Sequence, residues 1–227
     1  MRDTRKSREY FDEFIKDAQE ALAEFEQDIK DGSIAPDRIA DTQDWILIEK
    51  IDLLIARYSR GDDIALLRGE IELMADDLCK WWDTDAYTDN IRFASMAYLF
   101  GAGEDVLSRI RESLCAKNEG RTFDWLIDYI LTGEQELIGG KLAWEKSYHL
   151  LAEAIASKDA QPLKTYLGRW YSSNRGSEWY DTHKEDDEEL LYCGYWCFEA
   201  AAVAKRAGID DALIRDNKYY PSDLTGN

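Results

Sequence analysis

A chain of 227 residues that is 45% hydrophobic, with 8 Trp and 13 Tyr, can bury a sizeable core, which excludes wholesale disorder. Its 28 basic residues stand against 47 acidic ones, a net charge of -19. A surface of that sign repels nucleic acid and anionic membrane and speeds encounter with a basic protein. With 3 Pro and few β-branched runs, helices are favoured over a sheet.

The chain opens MRDTRKSREYF, where Arg2, Arg5, Lys6 and Arg8 flank a lone Asp3, so the remainder carries about -22. This opening has no apolar h-region and predicts no secretory signal. No apolar run reaches the roughly 18 residues of a membrane-spanning helix. Cys79, Cys115, Cys193 and Cys197 lack C-x-x-C spacing and fall in helical patterns. They predict reduced, mostly buried thiols in a cytoplasmic protein.

Residues 9–30 place Phe11, Ile15, Ala18, Leu22, Phe25 and Ile29 at alternating four- and three-residue spacing, a coiled-coil-like seam on a long helix. Asp31-Gly32-Ser33 ends it. Pro36 opens a second helix lined by Ile48, Ile51, Ile55 and Tyr58, and the two predict an antiparallel hairpin. The seam suits packing within a monomer, and a homodimer is the alternative. Asp62 or Asp63 caps a third helix to about residue 83, carrying Ile64, Leu67, Ile71, Met74, Leu78, Trp81 and Trp82.

A fourth helix runs from about Thr88 to Phe100 and stops at Gly101-Ala102-Gly103; a fifth spans 104–116. Asn118-Glu119-Gly120-Arg121 is the best candidate boundary. It would divide an N-terminal helical part, 1–117, from a C-terminal one, 121–227, with both in one compact unit. Thr122 caps FDWLIDYILTG, a loop follows at Gly139-Gly140, and helices are expected over 142–157 and 162–172. After Gly208 the stretch DDALIRDN predicts one more short helix. The fold class is therefore all-α: a compact bundle of about nine or ten helices around a buried C-terminal helix.

That central helix is placed at Leu190–Lys205, in LLYCGYWCFEAAAVAKR, because a segment apolar nearly all round is buried. Just before it, Glu185–Glu189 have two readings. They complement the positive end of a helix dipole, or they form an acidic rim presented to a basic partner.

The many carboxylates raise the possibility of paired-acid catalysis. The two histidines, His149 and His183, sit in no Glu-x-x-His pair, as a di-iron bundle would need, and leave little for zinc. There is no Gly-rich phosphate loop, nucleophile elbow or HExxH. No enzyme, cofactor or metal is expected. Asp181-Thr182-His183 reads as a capped turn with a surface histidine. Glu199, alone among apolar residues, needs a partner if buried, and an Arg or a Tyr hydroxyl would serve. Trp179-Tyr180 is bracketed by the acids Glu178 and Asp181, which argues on electrostatics against a nucleic-acid platform.

The phrases LKTYLGRWY (163–171), EWYDTHK (178–184), GYWCFEAAAVAKRAGIDD (194–211) and NKYYPSDL (217–224) resemble the C-terminal half of the PoNi immunity proteins. MRDTRKSREYFDEFI and LIARYSRGDDI (54–64) resemble their N-terminal part. The resemblance implies a cytoplasmic, all-helical, non-enzymatic protein that binds and blocks a cognate DNase toxin, often one delivered by a type VI secretion system.

With that partner, the acidic rim becomes the candidate binding site. It comprises Glu178, Asp181, Glu185, Asp186, Asp187, Glu188 and Glu189, with Trp179 and Tyr180 as apolar anchors, since Trp and Tyr are favoured at binding hot spots. The expected partner is a basic nuclease, with no nucleic acid and no membrane. The alternative function is a non-enzymatic acidic adaptor or scaffold for another basic protein.

Overall fold

In a computed structural model of the chain, the described residues are 1–81, 87–117, 124–134 and 142–226, with the side chains of 78, 79, 81 and 115–117 left aside. Nine α-helices and no strand occur among them, so the fold is all-α as expected. None of these helices is long and apolar enough to cross a membrane. The expectations for Trp82, the 118–121 boundary, Thr122, Phe123 and the Gly139-Gly140 loop fall outside the described residues. So do those for the side chains of Leu78, Cys79, Trp81 and Cys115. The chain divides into two units, 1–83 with 177–194, and 84–176 with 195–227.

The first unit contains α1 (Arg8–Asp31), α2 (Ile39–Arg60) and α3 (Ile64–Trp81). Ser7 caps α1 by accepting from the Tyr10 N–H, and Gly32 ends it in the left-handed conformation. Phe11, Ile15, Ala18 and Leu22 of the predicted seam are buried. Their burial is against α2, and the helices run antiparallel. Arg60 near the end of α2 meets Asp12 at 2.9 Å, and Lys50 meets Glu26 at 2.9 Å. Phe25 packs on Trp45 with centroids 4.5 Å apart.

Ile51, Ile55 and Tyr58 are buried on α2, whereas Ile48 lies on its more exposed side. Pro36 opens a short 3₁₀ turn that leads into the helix. α3 returns along α2, pairing Glu70 with Arg57 and Asp77 with Lys50. Asp63 accepts from the Ala65 N–H, which settles the cap of α3.

The second unit contains α4 (Tyr87–Phe100), α5 (Glu104–Lys117), α6 (Trp125–Thr132), α7 (Glu145–Ser157), α8 (Ala160–Ser173) and α9 (Phe198–Ala207). α4, α6, α7 and α8 all pack on α9, so a buried C-terminal helix does sit at the centre of this unit. Asp124 caps α6 by accepting from the Leu126 N–H. Residues 212–216 form turns rather than the short helix expected of DDALIRDN.

The central helix is shorter than its apolar composition predicts. It begins at Phe198, and residues 190–197 are not helical. Leu190 is left-handed at φ 48° and Gly194 has φ 133°, conformations that no α-helix accommodates. The backbone there bonds to distant partners, such as the Cys197 N–H to the Tyr219 carbonyl at 2.8 Å. Glu185–Glu189 therefore do not stand at the start of a helix, and the dipole reading fails. They belong to a surface loop of the first unit.

Candidate partner-binding surface

Residues 178–189 form a loop of short turns with two non-glycine residues in the left-handed region, Asp181 at φ 67° within it and Leu190 at φ 48° just after it. Within it, Thr182–Lys184 and Asp187–Glu189 are single 3₁₀ turns. The Thr182 hydroxyl donates to the Trp179 carbonyl at 2.9 Å, and Asp186 accepts from the Glu188 N–H at 3.2 Å. Asp181 makes no side-chain cap; it pairs instead with Lys184 at 2.7 Å.

Just past its far end the loop is fixed by a buried cluster. Tyr192 enters the first unit and its hydroxyl donates to Asp3, which is 1% exposed, at 2.6 Å. Asp3 also accepts from the Arg5 backbone N–H at 2.8 Å and its guanidinium at 2.7 Å. The Tyr192 N–H donates to the Tyr10 hydroxyl at 2.7 Å, and the buried Ser59 hydroxyl donates to the Cys193 carbonyl at 2.8 Å. Burial, and next the neighbouring Asp3, push the Tyr192 hydroxyl well above its usual pKa, so it stays a donor.

The basic opening of the chain thus has a structural task that charge counting missed. Arg2 donates to the Tyr58 and Asp62 carbonyls and lies 4.6 Å from the Tyr58 ring centroid. Lys6 donates to the Glu185 carbonyl at 3.2 Å and pairs with the Asp187 carboxylate. Met1 packs so close to Gly61, at φ 102°, that an added Cβ would meet its nitrogen at 3.1 Å. The one signal in the sequence was the lone Asp3 among bases, a buried acid already beside its partner.

The expected binding residues are thereby brought onto one loop. Glu178 and Glu185 through Glu189 are exposed; Trp179, Tyr180 and Asp181 are half-buried. Among the described residues, the side chains of Glu188 and Glu189 meet no donor. His183 is half-buried, with its ring 6.1 Å from that of Tyr192. Burial chiefly lowers its pKa, and nothing about it resembles a hydrolase site.

Glu199 is buried in the second unit, where it accepts from the Tyr166 hydroxyl at 2.9 Å and the Trp170 Nε1–H at 2.7 Å. A tyrosine hydroxyl was one of the two partners expected of it; no arginine is needed. Cys193 and Cys197 are buried. The Cys197 thiol is pushed well up, mainly by burial and then by Glu199, so it is inert as a nucleophile.

Fold and surface together define a class: an all-helical protein of strongly negative charge that holds a row of carboxylates outward on a tethered loop. Residues 2–112 match the PoNe immunity protein (PoNi) family, N-terminal, and residues 122–224 match PoNe immunity proteins (PoNi), C-terminal. The chain belongs to this family of immunity proteins for polymorphic nuclease effectors. Membership implies binding to a cognate nuclease toxin, and the family is generally non-enzymatic. No curated protein and no solved structure matches the chain.

Proposed function

We propose that this protein, acting in the cytoplasm, neutralises an antibacterial DNase delivered by a type VI secretion system or a related polymorphic toxin system. It does so by laying residues 178–189 against the toxin's basic DNA-binding groove. The observation that carries this reading is the run Glu185–Glu189, five exposed carboxylates on a loop tied down by Lys6 and by the buried Asp3–Tyr192 pair.

A groove built for DNA phosphates offers Lys and Arg, and carboxylates satisfy the same donors. Because the loop is tethered before binding, less conformational entropy is lost on association. The net charge of -19 adds long-range steering toward a basic surface. Trp179 and Tyr180, half-buried at the start of the loop, supply ring area for contact. Packing of the α1 seam on α2 favours a monomer.

The test reverses Glu188 and Glu189 together to Lys, because their side chains have no task inside the loop. Asp186 and Asp187 are less clean: one caps the Glu188 N–H and the other pairs with Lys6. Association with the cognate nuclease should slow about tenfold or more at low salt, and the difference should shrink as salt is raised. An unchanged association rate at low salt would remove the loop from the interface.

A further inference from the structure

The acids that dominate this chain are missing from α8. There are 47 of them in 227 residues, and none stands between Ala160 and Gly176. The helix buries Leu163, Tyr166, Leu167 and Trp170 in the second unit. Its exposed side carries Lys164 and Arg169, while Lys158 just before the helix and Arg175 just after it are exposed as well. Gly168 and Ser172 share that side. A Cβ built on Gly168 meets nothing within 4 Å, so the face between the two cations is open. In a chain of net charge -19, this is a surface of the opposite sign.

Its cations are not engaged within the chain. Among the described residues, the side chains of Lys158, Lys164, Arg169 and Arg175 make no ion pair and no hydrogen bond. Asp159, the acid nearest to them in sequence, caps α8 by accepting from the Gln161 N–H at 2.9 Å. Bases elsewhere are placed differently: Arg8, Lys16 and Arg38 each meet an acid three or four residues along the chain, at 4.0, 3.7 and 3.4 Å. On α8 the sequence supplies no such acid.

The occupant that fits this face is acidic and short. A helix of 14 residues is about 21 Å long. A nucleic acid or an anionic membrane extends beyond that length and meets the field of a chain of net charge -19, which repels it. A second copy of the chain is disfavoured by the same repulsion. A protein segment of about six extended residues matches the helix in length, and its Asp and Glu side chains can pair with the cations one by one.

We propose that the exposed face of α8 receives an acidic segment of a partner protein and helps to decide which partner is accepted. That the partner is the cognate nuclease rests on the immunity reading above. A surface of one sign attracts every basic protein. A partner without matching acids would cover the cations of α8 and leave them desolvated and unpaired, which costs affinity. The loop then supplies attraction, and α8 supplies discrimination.

The test uses the full-length chain at low salt, with a fluorescein-labelled peptide of glutamate and serine and a labelled single-stranded DNA oligonucleotide of equal charge. Anisotropy should report binding of the glutamate peptide. Lys164→Glu together with Arg169→Glu, at exposed positions that leave the buried side of α8 intact, should weaken it about tenfold or more. The loop reversal at Glu188 and Glu189 should not weaken it. Absence of peptide binding, or equal affinity for the wild type and the α8 variant, overturns the proposal. Tighter binding of the oligonucleotide overturns it too, and makes the face a nucleic-acid site.

The α8 variant also makes the chain more negative, so a nuclease held by negative charge alone would bind it more tightly. A nuclease that uses α8 should instead dissociate from it about tenfold faster. Unchanged or slower dissociation overturns the assignment of this face to the nuclease. A nuclease that fails to bind even the wild-type chain is a separate result, and it overturns the immunity reading instead.

Discussion

The Tyr192 hydroxyl donates to the Asp3 carboxylate at 2.6 Å, joining the third residue of the chain to the segment that follows the acidic loop. The pair is buried, so neither group can turn to water if the other is lost. Asp3→Ala removes the acceptor of the Tyr192 O–H and the carboxylate that pairs with Arg5. It should destabilise the first unit by about 2–4 kcal/mol, read by urea denaturation. Tyr192→Phe, which leaves Asp3 its two bonds to Arg5, should cost about 1–2 kcal/mol. Hydrogen exchange over residues 185–189 should quicken in Asp3→Ala; equal exchange would disconnect this pair from the order of the loop.

Glu199 accepts from two buried donors, and truncation removes this acceptor from both and opens a void beside α9. Glu199→Ala should cost about 3–5 kcal/mol in the second unit. Glu199→Gln keeps an acceptor oxygen and should cost less than half of that. Since Glu199 acts through the fold alone, Glu199→Gln should still protect against the nuclease at temperatures where it is folded. Loss of protection in a folded Glu199→Gln protein would contradict the structural role.

Asp211 is fully buried and accepts from the Thr225 hydroxyl at 2.7 Å and the Tyr220 hydroxyl at 3.3 Å, while pairing with Arg215. Burial alone would raise its pKa, but the hydrogen bonds from Thr225 and Arg215 outweigh burial and hold it below the usual aspartate value. With the folded value depressed, the folded state binds fewer protons than the unfolded one. The stabilisation is therefore complete above the usual aspartate value and is lost as pH falls through the lower folded value. Asp211→Asn should be less stable at neutral pH and lose less stability on acidification, as measured by urea midpoints from pH 7 to the acid limit.

Arg206 closes the C-terminal end of α6 by donating to the Ile130 carbonyl at 2.9 and 2.8 Å and to the Leu131 carbonyl at 2.8 Å. Its guanidinium also lies 3.8 Å from the Tyr98 ring centroid. A lysine can supply the charge but not the planar fork, nor the same stacking. Arg206→Lys should destabilise the second unit by about 1–2 kcal/mol and Arg206→Ala by more, in thermal unfolding. A fully tolerated lysine would reduce the site to a charge interaction.

Where apolar residues recur at helical spacing, the sequence was a sufficient guide. The seam from Phe11 to Leu22, the glycine stop after α1, the Asp63 cap and the stop at Gly101 are local signals, and local hydrogen bonds realise them. Glu199 was legible as a buried acid because a single carboxylate in an apolar run has few other fates. Leu190–Cys197 was misread because a continuous apolar stretch without periodicity fits a buried helix and a buried irregular segment equally. The acidic loop was legible as composition, and its anchors were not, since Asp3 and Tyr192 are separated by nearly the whole chain.

The sequence by itself determined the helical class, the family and the acidic character, because each is written in residue type and short spacing. Tertiary structure alone decided where α9 begins, because the backbone of 190–197 is satisfied by Tyr10, Ser59 and Tyr219 rather than by its own helix. It likewise turned the basic N-terminus from a charged tail into the clasp of the acidic loop. Those pairings depend on contacts between residues far apart in the chain, and no local pattern encodes them.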